Sequence, residues 1–284
     1  MLLNNKQYTI IKTENKKQYL FIYEKRLGVY MYNKRNFGVP ELQTHYISLK
    51  KNTFVTYAFI AICVVIFILD GYLNYSLTVL GIKSNEIIRS NPLASYRLIT
   101  CALLHGSIPH LVFNMLMIVG CGKYLEQVTN HLSMLIVIFD SALMASLASF
   151  AFSSANSLGA SGVVFGIMGA ILAVIYAEDS GTRRKVKKVI IPCLILNLVV
   201  GLFSTSIDNF AHLGGLLGGY LIGMGLGADN EYGHKEKRIV FISIYAAIAI
   251  ILLVIGYAGG FNIDCSNIVK GLWNSIIDFI KTIA

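Results

Sequence analysis

Seven apolar stretches, near 53–73, 107–125, 132–152, 160–177, 188–203, 207–227 and 239–258, recur along this chain of 284 residues. Each is close to the length that carries a helix across about 30 Å of hydrocarbon at about 1.5 Å per residue. Hydrophobic residues make up 55% of the chain and charged residues only 14%, and the mean hydropathy is +0.64. In soluble domains charged residues are about a quarter. The expected fold class is therefore an all-α membrane protein, a polytopic helical bundle.

The net charge of +9 reads first as topology. With the N-terminus inside, 19 of the 24 Lys and Arg fall in inner segments, and only Lys83, Arg89, Arg97, Lys270 and Lys281 fall outside. This bias predicts a multi-pass protein of the cell membrane with a cytoplasmic N-terminus and an external C-terminus. It also removes the reason to expect a nucleic-acid partner.

Residues 1–52 carry ten Lys or Arg and two partly alternating stretches, Tyr19–Tyr23 and Val29–Tyr32. They lack the apolar h-region of a signal peptide. They read as a strand-prone cytoplasmic appendage or as a basic arm on anionic lipid. The outer connection 74–106 is long and apolar enough to embed partly in the outer leaflet. Residues 261–284 place Ile268, Leu272, Trp273, Ile276 and Ile280 on one helical stripe, which predicts an interfacial helix anchored by Trp273. The five cysteines form no C-x-x-C pair and read as small core hydrophobes.

Polar side chains inside spans are costly and therefore candidates for function. His110 and Asn114 lie in the second span, Ser161 opens the fourth, and His212 lies in the sixth. The predicted topology brings His110, Ser161 and His212 to the outer third of the bilayer, about 2–8 Å below its edge. Ser161 sits in Gly159-Ala160-Ser161-Gly162, a pattern that alone would also suit close helix packing. Gly162 and Gly166 in the fourth span and Gly215, Gly219 and Gly223 in the sixth have small-xxx-small spacing, so these two spans are expected to pack together. That contact would bring His212, a general base, to Ser161, a nucleophile. His110 and Asn114, at i and i+4, share a face and could both donate to an oxyanion beside the Ser161 amide. Phe165 is expected against the His212 ring. Asp208 lies one turn before His212 at the interface, where an orienting role is the lesser reading. Glu126 reads as structural, and His45, His131 and His234 as solvated inner-face residues. H-E-x-x-H is absent and G-x-G-D is missed by one residue at 225–229, so no metal, cofactor or aspartyl site is expected.

Gly159–Gly162, Ala211-His212-Leu213-Gly214-Gly215-Leu216-Leu217-Gly218-Gly219 and His110-Leu111-Val112-Phe113-Asn114 together resemble the G-x-S-G, A-H-x-x-G-x-x-x-G and H-x-x-x-N motifs of the rhomboid intramembrane serine proteases. The resemblance covers about residues 54–227. It implies a six-helix catalytic core over 53–227, to which an inner loop and seventh helix (228–258) and an outer amphipathic tail (259–284) are added. It implies Ser161 as nucleophile, His212 as base, and His110 with Asn114 at the oxyanion. His105 reads as structural. Tyr96-Arg97 stands where the family often has Trp-Arg, and Phe165 where Tyr is common.

The implied activity is hydrolysis of peptide bonds in or near transmembrane segments of other membrane proteins, within the lipid bilayer. Local unwinding of the substrate helix and small residues such as Ala at the cleaved bond go with it. The short fifth span, with Pro192, is expected as the lateral gate. Two other classes remain open: a catalytically inactive relative that binds transmembrane clients, and a small transporter. The transporter would use midplane charges or broken helices, whereas the polar residues here cluster at one face.

Overall fold

The computed structural model describes residues 8–12, 19–25, 28–33, 52–175, 180–202, 207–227, 235–261 and 263. The chain divides into two compact units, residues 1–52 and 53–284. In the first, β1 (Tyr8–Lys12), β2 (Tyr19–Lys25) and β3 (Gly28–Asn33) form an antiparallel sheet in the order β1-β2-β3. The register pairs Tyr8 with Tyr23 and Leu20 with Asn33. The all-α expectation thus holds for the second unit, and the first carries the strands.

The second unit begins with α1 (Phe54–Tyr72). Its first N–H groups have no side-chain cap from Thr53. Glu126, only 1% exposed, supplies one instead, accepting from Val55 N at 2.9 Å, Thr56 N at 2.8 Å and Thr56 Oγ1 at 2.5 Å. Oε1, the oxygen that accepts from Val55 N, also meets His131 Nδ1 at 2.5 Å. His131 is therefore tied down by a carboxylate on one side and not wholly solvated, as its sequence position suggested.

The connection that follows is folded: α2 (Ser76–Gly81), α3 (Asn85–Ser90), a 3₁₀ turn at Pro92–Tyr96, α4 (Arg97–Thr100) and a second 3₁₀ turn at Cys101–Leu103. Arg97 is buried and holds it together, donating through Nη1 to Val79 O and Ile82 O, each at 3.0 Å. Tyr96 Oη donates to Leu80 O at 3.0 Å.

The second span is not one regular helix. α5 (Ile108–Met117) passes through a π-helical turn, Ile118–Gly122, into α6 (Lys123–Val128). A Cβ at Gly122 would lie 3.1 Å from both Met134 and Thr56. The remaining helices are α7 (His131–Phe152), α8 (Ser161–Val174), α9 (Ser180–Leu202), α10 (Asn209–Gly227) and α11 (Lys235–Tyr257). α9 starts eight residues before the expected 188, because the basic run 183–188 continues the helix beyond its apolar part. Among the described residues, four helical stretches are long and apolar enough to cross a membrane: Phe54–Tyr72, Ile108–Val128, His131–Phe152 and Arg238–Tyr257. α8, with 14 residues, is apolar but shorter.

α8 is the centre of the unit, buried along nearly its whole length. α10 lies against it backbone to backbone. A Cβ at Gly215 would come within 2.1 Å of Gly162 O, and one at Gly219 within 1.9 Å of Gly166 O. The same helix meets α7 through Gly214 and Gly218, where a Cβ would sit 2.6 Å from Met144. The tail helix expected around Trp273 and the loop 228–234 lie outside the described residues.

Candidate active site

Ser161 is the first residue of α8, and the turn before it is built for close approach. Gly159 has φ +122°, in the region that disfavours side chains, and a Cβ there would stand 2.6 Å from Cε1 of His110. Gly159 N donates to Cys101 O at 2.9 Å. Ala160 N donates to His105 Nε2 at 3.4 Å. Ala160, the N-cap of α8, offers no side-chain acceptor, so the first N–H groups of the helix, that of Ser161 among them, remain open for another partner.

His105 must carry no proton on Nε2 to accept this bond. Burial, with His110 beside it, holds its pKa down at about 4, so the ring is neutral near pH 7. The rings of His105 and His110 meet edge to face at 5.2 Å. His110 thus fills the space left by the missing side chain of Gly159. Asn114, 2% exposed, lies one turn further along α5 and donates through Nδ2 to His110 O at 3.1 Å.

His212 is 7% exposed. Its ring stacks on that of Phe165, 4.2 Å between centroids and 11° from parallel. The stack fixes the plane of the imidazole from below. Nδ1 of His212 is buried without a hydrogen-bond partner. Among the described hydrogen bonds none joins Ser161 Oγ to this ring. The two helices remain in contact at this level, since a Cβ on Gly162 would lie 3.7 Å from Ala211 O, although they approach more closely below it.

A cavity of about 710 Å³ gathers Ser161, His212, His110, Asn114 and Phe165 with Asn197 of α9. Gly159 and Gly162 line it as well, whereas Gly215 and Gly219 lie deeper, at the α8–α10 contact. Asp208 does not bond the imidazole. It caps α10, accepting from Ala211 N at 3.0 Å, and takes hydroxyl donations from Ser149 and Ser157. Sequence reasoning had no means of placing Asn197, whose amide donates to Cys193 O at 2.8 Å, because its neighbours in sequence are all apolar. Among the described residues no group of three or more His, Cys, Asp or Glu could hold a metal ion.

A nucleophile-type hydroxyl at an open helix N-terminus, an unpartnered imidazole and two further donors converge on one cavity. Residues 92–229 match the Rhomboid domain family model. The chain is 34% identical over 212 residues to Rhomboid protease GluP of Bacillus subtilis (strain 168), a match covering 73% of this chain and 40% of that protein. It is 29% identical over 192 residues to RHOMBOID-like protein 4 of Arabidopsis thaliana, covering 63% of this chain and 48% of that protein. It is 30% identical over 129 residues to Putative rhomboid protease YdcA of Bacillus subtilis (strain 168), covering 45% of this chain and 65% of that protein. The chain thus spans from two fifths to just under two thirds of the length of these relatives. It is a multi-pass membrane protein, and with its rhomboid domain at residues 92–229 it belongs to the rhomboid family.

Proposed function

We propose that this protein is an intramembrane serine endopeptidase that hydrolyses peptide bonds in or near the transmembrane segments of other membrane proteins. The observation that carries the reading is the convergence of Ser161, His212, His110 and Asn114 on one cavity, from α8, α10 and α5. The backbone contact of α8 and α10 through Gly162 and Gly215 supports pairing Ser161 with His212.

In the proposed reaction the Ser161 hydroxyl adds to the substrate carbonyl and gives its proton to His212. Negative charge then appears on the carbonyl oxygen. The open N–H of Ser161 at the positive end of α8, together with the donors of His110 and Asn114, meets that oxygen. Collapse expels the amine, which takes the proton back from His212, and leaves an ester on Ser161. Water, deprotonated by His212, attacks the ester and restores the hydroxyl. With no carboxylate bonded to the imidazole, the pair acts as a dyad, and the Phe165 stack takes over the task of orienting the ring.

A substrate helix must unwind before its carbonyl reaches Ser161, because a helical amide is covered by its own turn. α9 is the proposed gate: Pro192 lies inside it and breaks its hydrogen-bond ladder. We place the N-terminus inside and the C-terminus outside, from the distribution of Lys and Arg.

The direct test is labelling by a fluorophosphonate probe in native membranes. Wild type should be labelled, and Ser161→Ala and His212→Ala should not. Folded wild type that ignores the probe would leave a client-binding rhomboid relative as the better account.

A further inference from the structure

Lys83 is fully buried, in a connection that the catalytic proposal leaves unused. Its amine donates to Ser149 Oγ at 2.6 Å and to Ala155 O at 2.8 Å. Its backbone pairs with Ser157 in both directions, at 3.0 and 3.1 Å. Ser149 passes the interaction on: its hydroxyl donates to Asp208, and so does that of Ser157. Asp208 in turn caps the N-terminus of α10 through Ala211 N at 3.0 Å, one residue before His212. One chain of polar contacts therefore joins the connection after α1, the end of α7, the loop that leads into Ser161, and the helix that carries His212.

A buried ammonium is expensive unless it is paired and hydrogen-bonded. An apolar side chain of similar length would fill this space at lower cost, so the charge needs a reason other than stability. Ser149 and Lys83 have the atoms of a serine–lysine nucleophile pair, but Ser149 is fully buried and its hydroxyl is taken up by Asp208. The contacts lead instead toward the two residues of the proposed dyad.

We infer that Lys83, acting through Ser149, Ser157 and Asp208, is a positioning residue that sets the loop before Ser161 against the N-terminus of α10. The inference rests on the proposed protease function. Charge at both ends of the chain, ammonium and carboxylate, makes its hydrogen bonds short and directional. Burial pulls the Lys83 amine down to about 8, opposed by Asp208 and then by Cys101, with Arg89 adding to the depression. The unfolded amine titrates at 10.5. Between these values the unfolded chain holds more protons than the folded one, so the contribution of Lys83 to stability rises with pH. Positioning, which needs the cation, weakens over the same range.

The test is full-length Lys83→Met in proteoliposomes with a transmembrane substrate. A displacement of about 1 Å at a reacting group can cost about a hundredfold, so kcat should fall about ten- to a hundredfold with KM little changed. The melting temperature should not fall, and the decline of wild-type kcat above about pH 8 should be absent from the variant. Combined with Asp208→Asn, the loss should be smaller than the product of the single losses, because both substitutions break one chain. Wild-type kcat in Lys83→Met, or losses that multiply, would overturn the inference while leaving the protease reading intact. Should Lys83→Met fail to fold, Ser149→Ala removes only the bridging hydroxyl and must also lower kcat. Wild type that neither cleaves nor labels at Ser161 would instead defeat the function on which the inference rests.

Discussion

α10 and α11 are both long helices, yet they solve opposite problems. α11 contains one of the most apolar windows of the chain, and only 17% of that window is buried. Its side chains, Ile250, Ile251 and Val254 among them, face outward, where lipid would lie. α10 is interrupted by glycines and is pressed into the interior, with Gly215 and Gly219 against the backbone of α8. α1 behaves as α11 does, at 22% buried, whereas α7 is less apolar than either and is 67% buried. In a bilayer, apolar surface is what faces out, and close packing is achieved by the absence of side chains. The candidate site therefore sits on the least conspicuous helices of the chain.

The largest effect should come from filling the α8–α10 contact. Gly219→Ala places a Cβ 1.9 Å from Gly166 O, so the helices must separate, at about 3 kcal/mol or more. Thermal unfolding in detergent should show it as a large drop in melting temperature. At the periphery, Glu126→Ala leaves the first N–H groups of α1 without their acceptor and should cost about 2 kcal/mol in the same assay. Acidification probes the site itself. The depressed pKa of His105, about 4 against an ordinary 6.5, means that the unfolded chain binds the proton first. Stability from this group is complete above about pH 6.5 and is lost as the pH falls toward 4, and His105→Gln should flatten that part of the stability curve. The smallest effect should be Gly71→Ala on α1, where nothing lies within 4 Å. Helix propensity alone predicts a gain of up to about 1 kcal/mol. A loss there as large as that at Gly219 would erase the contrast between the two kinds of helix.

Much of this contrast is written in the sequence, because glycine at every fourth position is a local pattern that needs no knowledge of the fold. The spacing of Gly162, Gly166, Gly215 and Gly219 pointed to the two helices that touch. Depth counting brought Ser161, His212 and His110 to one level, the i, i+4 spacing added Asn114, and the structure gathers all of them around one cavity. Three features were hidden for physical reasons. Hydropathy marks where lipid begins, not where a helix does, so α9 began earlier than its apolar stretch. Lys83 looked like one of five outer charges useful only for topology. Its burial depends on a bridge to Ser157, 74 residues away, and no local pattern announces such a pairing. The π-helical turn at Ile118–Gly122 was equally silent, since its residues suit an ordinary helix.

The most direct test of the central claim is cleavage of model transmembrane substrates by purified protein in proteoliposomes, wild type beside Ser161→Ala and His212→Ala. The account predicts cutting near the outer face by wild type and none by either variant, although all three melt alike. Cleavage that survives in a folded Ser161→Ala protein would contradict it.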